Sequence, residues 1–403
     1  MKVAFILPGR LPVPAVRGGA IETLLNNLLE FNEKIESFEA TVFSEYDKEA
    51  QHASREYRHT HFIFIKRGGL YNAINIFFKL ARKMWPSKVS FLDIYMIASR
   101  LKKLKPDRII IEGSFLKLLE LRKFFPKEQL IFRLHADLIN RRSPEINRVL
   151  DSASLFMVAS EFLRKRIEQY SGQEIPAIRI LRNGIKSDFY VKISTAQKNV
   201  LFQRHGISLS KPIILYVGRI TQSKGILHLL DALIQARKTI EFHFLIVGSF
   251  GSGFGLGDEE NEFTSRMRGL IEINNDWISV TGFVNNSHLP AYYQIADILV
   301  VPSVCEDVSP LVINEALASG TPLIVTNAGG ITEYVTSDCA MVIQRDERMI
   351  ENLCSTVCDL LREPGRLDGM GDAALKQSEK YTMAAFYRSF CEILSTSISG
   401  GLN

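Results

Sequence analysis

Apolar residues fall along this chain in two alternating series. In the first, runs of strand length occur at 2–7, 40–44, 61–66, 108–112, 130–135, 155–160 and 178–181. Between them apolar residues recur at helical spacing. After the first run, Ile21, Leu24, Leu25, Leu28 and Leu29 share one helix face. A second series has runs at 213–217, 242–247, 278–282, 298–301, 323–325 and 340–343, and is helical beyond 351. Strands alternating with helices predict parallel sheets covered by helices, with ligands at the carboxyl ends of the strands. A polar connection over 186–211 separates the two series. The pattern therefore predicts an α/β chain of two doubly wound Rossmann-like domains, 1–190 and 191–379. A helix near 380–403 is expected to pack back on the first. A length of 403 residues agrees with two domains rather than one.

The densest chemistry lies between 297 and 335. An apolar run ends at Pro302-Ser303, the acids Glu306 and Asp307 follow in a loop, and a helical pattern opens near Leu311 and stops at Gly320. The next run, 323–325, leads to Asn327 and Gly329-Gly330, with a new helix expected at Ile331. This βαβ unit would set two helix N-termini at one sheet edge, where free N–H groups suit an anion. Acids beside such a site would repel phosphate and are better read as acceptors for sugar or ribose hydroxyls. Phosphate-binding and hydroxyl-binding groups side by side point to a nucleotide-sugar.

The segment Gly218-Arg219-Ile220-Thr221-Gln222-Ser223-Lys224-Gly225 directly follows the first strand of the second series. Arg219 and Lys224 would project over the strand end, and two cations there suit a diphosphate. The plain alternative is a surface turn with two solvated cations. Asp307 and Glu315 stand with seven residues between them, a spacing that is common by chance when taken alone.

Charge changes the picture further. Residues 1–195 hold 33 Lys+Arg against 21 Asp+Glu, and residues 196–403 hold 16 against 23, so a basic half precedes an acidic one. From Arg55 to Arg108 there are 13 Lys+Arg against 3 Asp+Glu, interleaved with Phe77, Phe78, Met84, Trp85 and Phe91. Such a stretch suits an anionic membrane surface, each cation near it contributing about 1 kcal/mol. The alternative is an ordinary helix with solvated charges. Nucleic acid is not an expected partner, since no nucleic-acid-binding motif accompanies the charge. No apolar run approaches the ~20 residues of a membrane span. The opening MKVAFILPGR reads as a strand rather than a signal peptide. The five cysteines read as free thiols of a cytosolic protein.

The pieces VGR-x4-KG, PSVCEDVSPLVINEALASGTP and TNAGGITE closely resemble retaining nucleotide-sugar glycosyltransferases of family four, which have the GT-B fold. The RGGAIE loop, LHAD, ASEFLRKRI and LRNGI extend the resemblance over nearly the whole chain. The opening resembles the subgroup containing spore coat protein SA and capsular polysaccharide glycosyltransferases. The resemblance implies two domains facing each other across a cleft. It implies that Arg219 and Lys224 bind the donor diphosphate, that Glu315 holds the ribose hydroxyls, and that Asp307 contacts the donor sugar, with Glu306 adjacent as a competitor. Backbone from Ser309 through Leu311 to Val312 would hold sugar and phosphate oxygens. Gly18 and Gly19 would approach the diphosphate, and His135 would sit beside the transferred sugar. Gly218, Gly248 and Val284 would complete the donor site, the last two against the base. The chain departs from the family pattern at Asp307, usually Glu; at Pro310, usually Gly; and at Lys186, often an acid.

The expected activity is transfer of a sugar from a UDP- or GDP-linked donor to a hydroxyl of a lipid-linked glycan acceptor, with retention, in cell-surface or capsular polysaccharide synthesis. No cofactor is expected, and no metal, because cations would already neutralise the leaving diphosphate. The expected location is the cytoplasmic face of the plasma membrane. The alternative from another class is a non-catalytic GT-B scaffold or coat-associated protein.

Overall fold

In the computed structural model the described residues are 1–9, 11–84, 91–138, 146–171, 177–208, 210–251 and 261–399; the side chains of 70, 79–84 and 397–399 are not among those described. The acidic run 258–260 and the Lys79, Arg82 and Lys83 side chains of the basic segment lie outside this set.

The chain divides into two units, Met1–Gly184 with Met383–Asn403, and Ile185–Thr382. The first unit contains β1 (Lys2–Ile6), β2 (Glu39–Glu45), β3 (Thr60–Ile65), β4 (Arg108–Glu112), β5 (Leu130–Leu134), β6 (Leu155–Val158) and β7 (Ala177–Ile180). They form one parallel sheet in the order β3-β2-β1-β4-β5-β6-β7. The second unit contains β8 (Ile213–Val217), β9 (His243–Val247), β10 (Ile278–Val280), β11 (Ile298–Val301), β12 (Leu323–Thr326) and β13 (Ala340–Ile343). These are parallel in the order β10-β9-β8-β11-β12-β13. Both are the doubly wound sheets that the alternation predicts.

The central runs such as β8 and β11 are apolar because both sheet faces are covered there, whereas the edge strand β7 is exposed or half-buried along its length. In β8, Ile213 and Leu215 enter one cluster with Leu299, Ile313 and Leu317; Ile214 and Tyr216 enter the other with Ile226, Leu230 and Leu353. The order reverses between β1 and β4 in one unit and between β8 and β11 in the other. Crevices at such switch points hold ligands in folds of this kind. The loops after β8 and β11 carry the densest chemistry of the sequence.

The helix Met383–Ser399 belongs to the first unit. Phe386, Phe390 and Leu394 enter its core with Phe5, Leu28 and Phe38. The rings of Phe5 and Phe390 are 6.2 Å apart. Buried Asn32 ties this helix in, accepting from the Tyr387 hydroxyl at 2.6 Å and donating to the Phe38 carbonyl at 2.9 Å.

One element differs from expectation. At Ile331 there is a single 3-10 turn, Ile331–Glu333, and no α-helix. Only nine residues separate Gly330 from the start of β13 at Ala340, and a second turn, in which the Thr336 carbonyl accepts from Cys339 and Ala340, takes up the last of them, so no length is left for an α-helix. Of the cysteines, Cys339 and Cys358 are buried, Cys305, Cys354 and Cys391 are half-buried, and all are free.

Candidate functional site

The second unit gathers most of the candidate residues at the carboxyl end of its sheet. The loop after β8 is stitched to its neighbours by backbone. Gly218 donates to the Val247 carbonyl at 3.0 Å and Ile220 to that of Ser249 at 2.9 Å. Gly248 bridges to Gly282, two residues before half-buried Val284. The Ser223 carbonyl accepts from the amides of Val304 and Cys305, both at 3.2 Å. Gly225 has φ +70°, and a Cβ there would overlap the Pro302 carbonyl. Only glycine lets the β8 loop lie this close to the β11 loop.

This stitching brings Lys224 to Asp307. The Lys224 ammonium donates to Asp307 Oδ2 in a partly buried pair, with side-chain exposures of 29% and 15%. Arg219 is exposed and makes no ion pair among the described residues. Its carbonyl accepts from the Tyr216 hydroxyl at 2.7 Å, which fixes the backbone beneath it.

The two adjacent acids have different partners. Glu306 receives the Arg345 guanidinium at 3.2 Å. Arg345 also donates to the Val304 carbonyl at 3.2 Å and to Asn327 Oδ1 at 3.3 Å, and so ties the loops after β11, β12 and β13 together. The backbone of Asp307 is pinned from the other side. Its carbonyl accepts from Gly330 at 2.8 Å, and a Cβ on Gly329, where φ is +60°, would collide with it.

The helix Leu311–Ser319 carries Glu315 in its second turn. Pro310 is its N-cap, so the missing N–H removes no helical bond, and the amides of Leu311 and Val312 stand in the first turn, where no helical carbonyl reaches them. Ser309 donates to the Tyr334 hydroxyl at 2.6 Å. Glu315 is 9% exposed and accepts from the Tyr293 hydroxyl at 2.6 Å. Burial pushes its carboxyl up to about 7, and the Tyr293 bond opposes this only in part.

In the first unit, Gly18 and Gly19 lead into the helix Ala20–Ile35, with Gly19 as N-cap. His135 follows β5 and is almost buried, its Nε2 2.5 Å from Glu112 Oε2. Glu112 ends β4 and is fully buried, in register with Arg133, whose Nη1 lies 3.7 Å from Glu112 Oε1. Burial raises the Glu112 carboxyl, but Arg133 and His135 together outweigh it and the net shift is downward. Burial lowers the imidazole of His135 by more than Glu112 raises it. The Arg133 guanidinium thus favours the charged form of Glu112, while burial favours the neutral form of His135. Nε2 is the ring nitrogen that faces Glu112.

Arg219, Lys224, Asp307, Glu306 and Glu315 thus stand on loops and a helix end of one sheet edge, beside Gly218, Gly248 and Ser309. Sequence reasoning missed Tyr293, Arg345 and Tyr334, which hold Glu315, Glu306 and Ser309, and the Glu112–Arg133 pair behind His135. Arg345 carried a readable signal, a cation two residues beyond a strand end. Tyr293 carried none.

Residues 197–377 match the family model for glycosyl transferases group 1. Spore coat protein SA of Bacillus subtilis (strain 168) is 25% identical over 390 residues, 94% of this chain and 95% of that protein. A lipopolysaccharide 1,2-N-acetylglucosaminetransferase of Salmonella typhimurium is 30% identical over 235 residues, 57% of each chain. Among solved structures, Anabaena Alr3699/HepE in complex with UDP-glucose aligns with a TM-score of 0.76 at 17% identity, over 98% of this chain and all of that one. The structural likeness shows the two-unit Rossmann-like fold of GT-B glycosyltransferases, and the sequence matches support a group 1 glycosyltransferase.

Proposed function

We propose that this chain is a group 1 glycosyltransferase and that it moves a sugar from a nucleoside diphosphate donor to an acceptor hydroxyl with retention at the anomeric carbon. The observation that carries the reading is the meeting of two cations, two carboxylates and a helix N-terminus at the β8–β11 switch point. Arg219, Lys224 and the amides of Leu311 and Val312 take the diphosphate. Glu315 takes the ribose hydroxyls through the oxygen that Tyr293 leaves, and Asp307 takes hydroxyls of the sugar. The leaving diphosphate carries the charge that develops at the barrier. Fixed cations and dipoles aimed at such charge contribute several kcal/mol each. With them in place a divalent metal has no required task, and EDTA is expected to leave the rate unchanged. UDP is the first base to try, because Alr3699/HepE was solved with UDP-glucose.

The acceptor is a glycan hydroxyl, in keeping with the lipopolysaccharide sugar transferase among the relatives. We place the enzyme at an anionic lipid surface through Arg55–Arg108. The helix Gly69–Met84 there leaves Ile74, Ile76 and Phe77 exposed, at 41%, 60% and 68%. No helix among the described residues is long and apolar enough to cross a membrane.

The test is thermal shift against UDP, GDP, ADP and dTDP and their sugars, without metal, followed by a transfer or hydrolysis assay with the stabilising donor. A shift abolished by Arg219→Ala and Glu315→Ala is the expected result. A folded protein that responds to no nucleotide would leave the scaffold reading in its place.

A further inference from the structure

Arg219 and Lys224 differ in their partners. Arg219 is exposed and unpaired among the described residues, whereas Lys224 is already neutralised by Asp307. Asp307 cannot retreat as a whole, because its carbonyl is held by Gly330 at 2.8 Å and its backbone abuts Gly329. Its neighbour Glu306 is held at 3.2 Å by Arg345, which is itself anchored on two loops. With these backbones held, the Lys224–Asp307 contact changes only through the two side chains.

Resting on the donor reading above, we propose that the Lys224–Asp307 pair is the device by which the site distinguishes a nucleoside diphosphate sugar from the bare nucleoside diphosphate. A sugar-bearing donor offers hydroxyls to Asp307. The carboxylate turns to them, and Lys224 is released to the phosphates. A bare diphosphate offers Asp307 nothing, so the carboxylate stays on Lys224 and competes with the phosphates for it. The donor thus gains a second cation that the product holds poorly. Departure of the sugar restores the pair and loosens the product.

The test is calorimetric titration of wild type, Asp307→Asn, Lys224→Met and the double variant with UDP and UDP-glucose, or with GDP and GDP-mannose if the thermal screen selects guanine. Asparagine still bonds a sugar hydroxyl but cannot neutralise an ammonium. Asp307→Asn is therefore expected to tighten the bare diphosphate about 3–10-fold and to leave the sugar nucleotide within about threefold. Lys224→Met is expected to weaken the sugar nucleotide about tenfold or more and the bare diphosphate only about threefold. In the Lys224→Met background, Asp307→Asn should bring no gain for the bare diphosphate, since the pair is already gone.

Weakening of both ligands by Asp307→Asn, or equal weakening of both by Lys224→Met, overturns the proposal and leaves the donor reading intact. A gain of equal size in the Lys224→Met background also overturns it, since bulk charge would then explain the effect. Wild type that binds neither ligand overturns the donor reading and this proposal together. If Asp307→Asn does not fold, Lys224→Met alone still decides.

Discussion

The Tyr293 hydroxyl donates to Oε2 of Glu315 at 2.6 Å, which leaves Oε1 as the oxygen of that buried carboxylate without a protein partner among the described residues. Burial raises the group from an ordinary 4.5 to about 7. A raised acid favours folding while protonated. Its contribution is complete below about 4.5 and is lost as pH rises toward about 7.

Two consequences have opposite signs. Glu315→Gln is expected to be more stable than wild type at pH 8, with the difference vanishing near pH 4.5. Hydroxyls of a bound ribose donate to the ionised form, so nucleotide affinity should rise between pH 6 and 8 and binding near pH 6.5 should release a proton. Calorimetry in two buffers of different ionisation heat measures that release. An affinity flat in pH for wild type and variant alike would remove the carboxylate from the ribose site.

Gly225 and Gly206 both have positive φ, +70° and +63°, yet they predict different outcomes. Nothing lies within 4 Å of a Cβ on Gly206, so Gly206→Ala should cost about 1–2 kcal/mol, the backbone term alone. Gly225→Ala adds the collision with Pro302 and should cost well above that, with loss of nucleotide binding as the β8 and β11 loops part. Urea unfolding of the two variants compares them, and equal midpoints would mean that the contact yields freely.

Arg133→Met leaves Glu112 charged, buried and without its cation. The expected loss is about 3–5 kcal/mol, and Arg133→Met with Glu112→Gln should recover part of it. Chemical denaturation of the three variants checks this. A double variant as unstable as the single one would place the cost in packing, where the Arg133 guanidinium lies 5.2 Å from the Phe386 ring centroid.

Ile76→Ser with Phe77→Ser should reduce co-sedimentation with vesicles containing anionic lipid, as should reversal of Lys79, Arg82 and Lys83. The apolar pair acts through burial, about 25 cal/mol per Å², and its effect should persist at high salt, whereas that of the charges should fade. Sedimentation indifferent to both sets would remove the membrane from the account.

Much of the fold is legible in the sequence. The β8, β11 and β12 runs are uninterrupted and strongly apolar because both their faces are covered, and such runs announce themselves. Arg219, Lys224, Asp307 and Glu315 stood out because each follows a strand end or enters the helix after one. The helix expected at Ile331 shrank to a turn because β13 begins too soon, a constraint of distance that periodicity does not carry. Tyr293 meets Glu315 only through packing of the helix Leu289–Ile295 on Leu311–Ser319, and nothing local marks it. Glu112 and Arg133 each look like a strand-edge charge. Their pairing exists only in the β4–β5 register.

The second unit begins and ends at one place. Ile185 donates to the Tyr381 carbonyl at 2.8 Å and bridges to Thr382, so the two ends of a stretch of nearly two hundred residues are clasped side by side. Mechanically this makes the unit a closed loop, its two ends joined side by side. Within the first unit, tension applied at Lys2 and at the helix Met383–Ser399 must pull that helix from the core around Phe5 and Phe38. The same clasp makes the unit a cassette. It can be cut out at Ile185 and Thr382 and exchanged for a homologous one by matching two adjacent residues.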